Sequence, residues 1–141
     1  MILPQNLTKD EFFANKLKGV TTILGDVLGK DEFKDVPENV LKAAGERGSA
    51  VHDWIEHFIL TGEQKSIELA YQIYIDYFLD WYNEYQPEFI SAEQMMINEE
   101  DGYKGIIDAI FYYKDKETGK KIVCMCDWKT SSNLNRFKTM C

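Results

Sequence analysis

Cysteine, positive charge and long apolar runs are all in short supply in this chain, and each scarcity excludes something. Three cysteines among 141 residues do not make a disulfide framework. Cys124 and Cys126 stand two apart in a predicted strand, so they share one face and read as small buried hydrophobes. Metal or disulfide chemistry is the alternative. No apolar run approaches the roughly 20 residues that span a bilayer, and MILPQNLTKDEFF has no signal-peptide pattern. The expectation is a cytoplasmic protein with no membrane partner. A formal charge of −8 argues against broad, nonspecific adhesion to duplex nucleic acid. The deficit is uneven, since from Asp53 to Asp108 the only basic side chains are Lys65 and Lys104. Lys114, Lys116, Lys120, Lys121, Lys129, Arg136 and Lys138 then make the C-terminal end the one candidate anion-facing surface. Ordinary solvated lysines beside a hairpin turn are the alternative. No repeat or low-complexity segment is present.

What the chain does have is a 45% apolar and 13% aromatic composition, which suits one globular domain over residues 1–141. The N-terminal third is the least legible, with TTILGDVLG predicting a short helix from Thr22 to Leu28. A helix, or two abutting ones, follows from about Pro37 to Leu60, with Gly62 as its cap. Gly45 and Gly48 within it predict a break or a close backbone approach. Val51, Trp54, Ile55, Phe58 and Ile59 form its apolar stripe. Ser66 offers an N-cap for a second long helix that must stop before Pro87. The aromatics of that helix, Tyr71 to Tyr85, could stack bases, but core packing fits its nearly all-round apolarity better. From Glu88 the period becomes that of strands: EFISAEQMMI, YKGIIDAIFYY and KIVCMCDWK, the last two joined as a hairpin. The tail after Ser131 predicts a helix capped near Ser132 or Asn133. The fold class is therefore α/β, with N-terminal helices packed on a mixed sheet whose core is a three-stranded β-meander.

The chemistry concentrates at the last strand, which ends in CDWKTSS. A buried charge there requires a partner or a metal. A turn centred between Glu117 and Thr118 sets Asp108 directly across from Asp127; a three-residue loop would send it to the other face unless a bulge restores parity. Gly105 marks such a bulge or a close backbone approach. Two carboxylates with Lys129 two residues further on suit a hard cation such as Mg²⁺; a structural ion cluster is the alternative. His52, on the border of the helical stripe, can reach this cluster as a neutral imidazole or serve as a boundary core residue. Glu93 on the first strand is a further candidate, or else an outward-facing strand residue.

Taken in order, RGSAVHDWIE (47–56), AEQMMI (92–97), GIIDAI (105–110) and CDWKTS (126–131) resemble the motifs of the PD-(D/E)XK nuclease superfamily. The nearest branch is the RecB-like and phage exonuclease group, and VTTILGDVLG is similar to the N-terminal stretch of phage members. The resemblance implies a restriction-endonuclease-like core and Mg²⁺- or Mn²⁺-dependent hydrolysis of DNA in a bacterial or phage-infected cell. It implies His52, Asp108, Asp127 and the main-chain carbonyl of Trp128 as metal ligands. Lys129 would be the catalytic lysine, acting with Asp127, Asp108 and, less firmly, Glu93. No cysteine precedes His52, so no iron–sulfur cluster is expected. The branch continues into a helix carrying Gln-x-x-x-Tyr, and SSNLNRFKTMC has neither residue. The expected core is thus incomplete after its third strand, which implies a truncated chain, one that borrows the missing element from a second subunit or another copy, or one that has lost activity. The competing reading is an impaired nuclease-like protein that acts by binding a partner or itself.

Overall fold

The computed structural model describes residues 6–28 and 34–131. Within them the architecture is α/β, helices against a mixed four-stranded open sheet. Helix α1 (Lys9–Ala14) begins with a reciprocal cap: Thr8 Oγ1 accepts from the Glu11 N–H and the Glu11 carboxylate accepts from the Thr8 N–H. Strand β1 (Lys18–Gly19) leads directly into α2 (Val20–Leu28). Neither α1 nor β1 was predicted. Each is too short to carry a periodic signal, and both are held from afar by residue 104. Lys104 Nζ donates to the carbonyls of Phe12 at 2.6 Å and Asn15 at 2.8 Å, and it lies over the Phe12 ring.

Helix α3 (Glu38–Thr61) is a single unbroken helix, closed by Gly62 in the left-handed region at φ 74°. Gly45 faces open space, while a Cβ on Gly48 would make only ordinary contact with Thr130. The predicted stripe is the buried one: Val51, Trp54, Ile55 and Phe58 are core, with Ile59 packed against it. The second helix departs from expectation. Ser66 caps nothing; a 3-10 turn (Leu69–Tyr71) precedes α4 (Gln72–Tyr85). The reason lies on α3, where the Trp54 indole N–H donates to the Lys65 carbonyl at 2.6 Å. Ile67 also packs on the core, so residues 62–68 run along the surface before the chain can turn. The α4 aromatics are mainly core: Tyr74 and Phe78 are buried, and Trp81 meets Phe111 edge-on at 5.3 Å.

Strands β2 (Glu88–Asn98), β3 (Tyr103–Lys114) and β4 (Lys121–Cys126) form the predicted antiparallel meander. β3 is central. β2 lies along one side, and β4 and the parallel β1 take opposite ends of the other. The last hairpin adopts the register of the even turn, from Lys114↔Lys121 to Ala109↔Cys126. The bulge sits in β2, between Phe89 and Ser91, not at Gly105. Gly105 serves the other predicted use: a Cβ there would stand 3.4 Å from Val20 Cγ2, so α2 approaches the β3 backbone closely. Cys124 and Cys126 are buried in the core, as expected of small hydrophobes. The predicted tail helix and Cys141 lie outside the described residues. Among the described residues no helix is long and apolar enough to cross a membrane.

Candidate metal centre

Three elements distant in sequence bring their polar side chains to one place. His52 from α3, Glu93 from β2 and Asp108 from β3 offer ligand atoms that all lie within 4.8 Å of one another. Each is put there by a local feature. His52 borders the apolar stripe that seats α3. Glu93 falls between the pairs Ala92↔Ala109 and Gln94↔Ile107, which bracket Asp108 on the facing strand. Its backbone is left-handed at φ 49°, a costly conformation for a residue with a Cβ. Asp108 stands one step beyond the last β3–β4 pair. Its Oδ2 accepts the Trp128 N–H at 2.6 Å, so a carboxylate replaces the main-chain acceptor of the ladder and β4 ends.

The imidazole is oriented by the same residue. His52 Nε2 lies 2.7 Å from the Trp128 carbonyl. A carbonyl can only accept, so Nε2 carries the proton and a neutral ring presents its lone pair at Nδ1. Nδ1 faces Asp108 Oδ1 at 3.7 Å. Lone pair against carboxylate is repulsive unless a proton or a cation stands between them. Both atoms can reach one ion held about 2.1 Å from each. Burial, the Asp108 charge and then Glu56 push the Glu93 carboxyl above its ordinary range, with His52 opposing and Asp53 reinforcing. Burial raises Asp108 as well. The Trp128 N–H and His52 offset part of this, and Asp127 adds to it. The donor set, two carboxylates and an imidazole short of positive charge, fits a divalent cation such as Mn²⁺ or Mg²⁺.

The predicted residues therefore divide. His52 and Asp108 meet as expected, and Glu93 joins them. Asp127 does not enter the three-residue group. It stands at the rim, near enough to act on Asp108, with its side chain 62% exposed and its Oδ2 2.8 Å from Lys129 Nζ. β4 stops at Cys126, so Asp127 and Lys129 lie past the strand that was expected to carry them. The Trp128 carbonyl acts on the site through the imidazole. The turn at EEDG held the signal for Glu93: centred between Glu100 and Asp101, it sets Glu93 across from Asp108, just as the later turn sets Asp127 there. Comparison with family models, curated proteins and solved structures finds no match.

Proposed function

We propose that this chain is a divalent-metal-dependent DNA nuclease of the PD-(D/E)XK kind, or the metal-binding core of one. The observation that carries the reading is the convergence of His52, Glu93 and Asp108, with the Asp127–Lys129 pair at its rim. His52, Glu93 and Asp108 would hold Mg²⁺ or Mn²⁺, with Asp127 closing the open side. When bound, such an ion supplies positive charge to a phosphodiester oxygen and acidifies water. The chain's own residues do the rest. Trp128 fixes the His52 tautomer through its carbonyl and holds Asp108 through its N–H. Lys129, whose side chain is 80% exposed, meets a phosphate from the solvent side and opposes negative charge developing there.

The test is cleavage of a labelled DNA with Mn²⁺ by the wild type, Asp108→Asn and Lys129→Ala. Both variants should lose cleavage while keeping the wild-type circular dichroism spectrum. Retained activity in either contradicts the assignment. A second reading, a nuclease-like protein that binds a partner or another copy of itself, is favoured by β4. Its Ile122, Val123 and Met125 are exposed, and among the described residues the strand pairs with β3 alone. Light scattering separates the two: a monomer that cleaves DNA supports the first reading, and an inactive oligomer supports the second.

A further inference from the structure

Lys129 stands on backbone that belongs to no strand. Residues 127–131 continue past β4 with no regular secondary structure, and side chains from three other elements hold this strap. Trp128 is taken by Asp108 and His52, as described above. Thr130 and Ser131 are taken by groups that play no part in the metal centre. Arg47, on α3, donates from Nε to Thr130 Oγ1 at 3.3 Å and from its terminal nitrogen to the Thr130 carbonyl at 3.5 Å. Tyr74, on α4, donates its hydroxyl to the Ser131 carbonyl at 3.0 Å. The Arg47 guanidinium also lies over the Tyr74 ring, 5.6 Å from its centre, so the two clamps brace each other. Beneath the strap is a cavity of about 40 Å³, walled by Val51, Ile55, Phe78, Trp81 and Trp128. The Trp128 ring packs edge-on against Phe78 and Trp81 in the core, so Lys129 stands between that apolar anchor and the polar clamps at Thr130 and Ser131.

We propose that Arg47 and Tyr74 are positioning residues for Lys129: they pin the strap on the C-terminal side of the lysine as Asp108 and His52 pin it on the N-terminal side. This rests on the nuclease reading for its catalytic meaning, but not for the pinning itself. The consequence is a division of labour. His52, Glu93 and Asp108 lie on α3, β2 and β3, and His52 and Asp108 meet the strap at Trp128, whereas Arg47 and Tyr74 hold only its Thr130–Ser131 end, beyond Lys129. Loss of a clamp therefore moves the ammonium relative to the substrate phosphate and leaves ion binding intact. Misplacement by about 1 Å can cost on the order of 100-fold in rate.

Lys129 also makes the test independent of nuclease activity, because trypsin cuts after lysine. In the folded protein the Lys129–Thr130 bond should be cut at least about tenfold more slowly than the bonds after Lys116 and Lys120 in the exposed turn. Tyr74→Phe keeps the ring and removes only the hydroxyl; Arg47→Met removes the fork; Arg47→Lys keeps the charge. Losing the one hydrogen bond in Tyr74→Phe should speed cutting at Lys129 by about tenfold, and losing two in Arg47→Met by at least about tenfold, with Arg47→Lys between Arg47→Met and the wild type. In DNA cleavage the same two variants should lose kcat by about 10- to 100-fold, with KM and Mn²⁺ affinity within about twofold of wild type and partial rescue in Arg47→Lys. Unchanged tryptic rates at Lys129 overturn the proposal. Faster cutting with unchanged kcat also overturns it, leaving a merely structural clamp. If the wild type cleaves no DNA, the nuclease reading falls, and the tryptic rates still decide whether Arg47 and Tyr74 hold the strap.

Discussion

At the scale of single residues, Glu93 pays in conformation for its place at the centre. A left-handed φ of 49° inside a strand costs about 1–3 kcal/mol in a residue with a Cβ. Glu93→Gly should therefore raise the stability of the metal-free protein by about 1 kcal/mol, net of glycine's own entropy, while weakening Mn²⁺ at least about tenfold. Urea melts in EDTA and calorimetry check the two halves. A variant that loses both stability and metal would show that contacts of the Glu93 side chain outweigh its backbone strain. The pH dependence follows from the same group of acids. Glu93 and Asp108 are raised, chiefly by burial, so the folded state holds their protons more tightly than the unfolded chain does. Stability of the metal-free protein must then fall as pH rises from the ordinary carboxylate range through the raised values. The exposed Glu11 and Asp115 carboxyls act oppositely and at lower pH. Hydrogen bonds from Thr8 and Thr118 lower them, so their contribution is present above the ordinary values and lost as pH falls through the lowered ones. Thermal melts in EDTA should show the downward slope, and Asp108→Asn should flatten it. An unchanged slope in that variant would place the effect elsewhere.

At the scale of elements, α3 carries an avoidable defect. Gly45 lies within the helix, and nothing stands within 4 Å of the Cβ it lacks. Gly45→Ala should stabilise the protein by about 1 kcal/mol without touching the metal centre. A loss of stability in denaturant melts would mean that the glycine answers a contact outside the described residues. The N-terminal elements depend instead on Lys104, whose ammonium binds the Phe12 and Asn15 carbonyls. Lys104→Met should leave the meander intact and free α1, seen as faster amide exchange over residues 9–14. These two cases also mark what the sequence could disclose. Long elements announced themselves: the α3 stripe is a period of 3.6 over many residues, and the meander is set by turn centres that can be counted. α1, β1 and the early course of α4 could not be read, because remote side chains, Lys104 and Trp54, decide them. The site was legible to the same extent. His52 and Asp108 follow from periodicity and register. The place of Asp127 at the rim follows from the Asp108 carboxylate taking the Trp128 N–H, a side-chain contact that spacing cannot show.

For the whole molecule, the acidic balance and the site belong together. A net charge of −8 repels a polyanion, and Glu56 and Asp53 add to the negative field at Glu93. On the proposed function, a divalent ion would relieve that field and so couple folding stability and substrate approach to metal. The most direct test is calorimetric titration of the metal-free chain with Mn²⁺, repeated for His52→Ala, Glu93→Gln and Asp108→Asn. One ion per chain should bind, at least about tenfold more weakly in each variant. No binding by the wild type, or binding that all three substitutions leave unchanged, would contradict it.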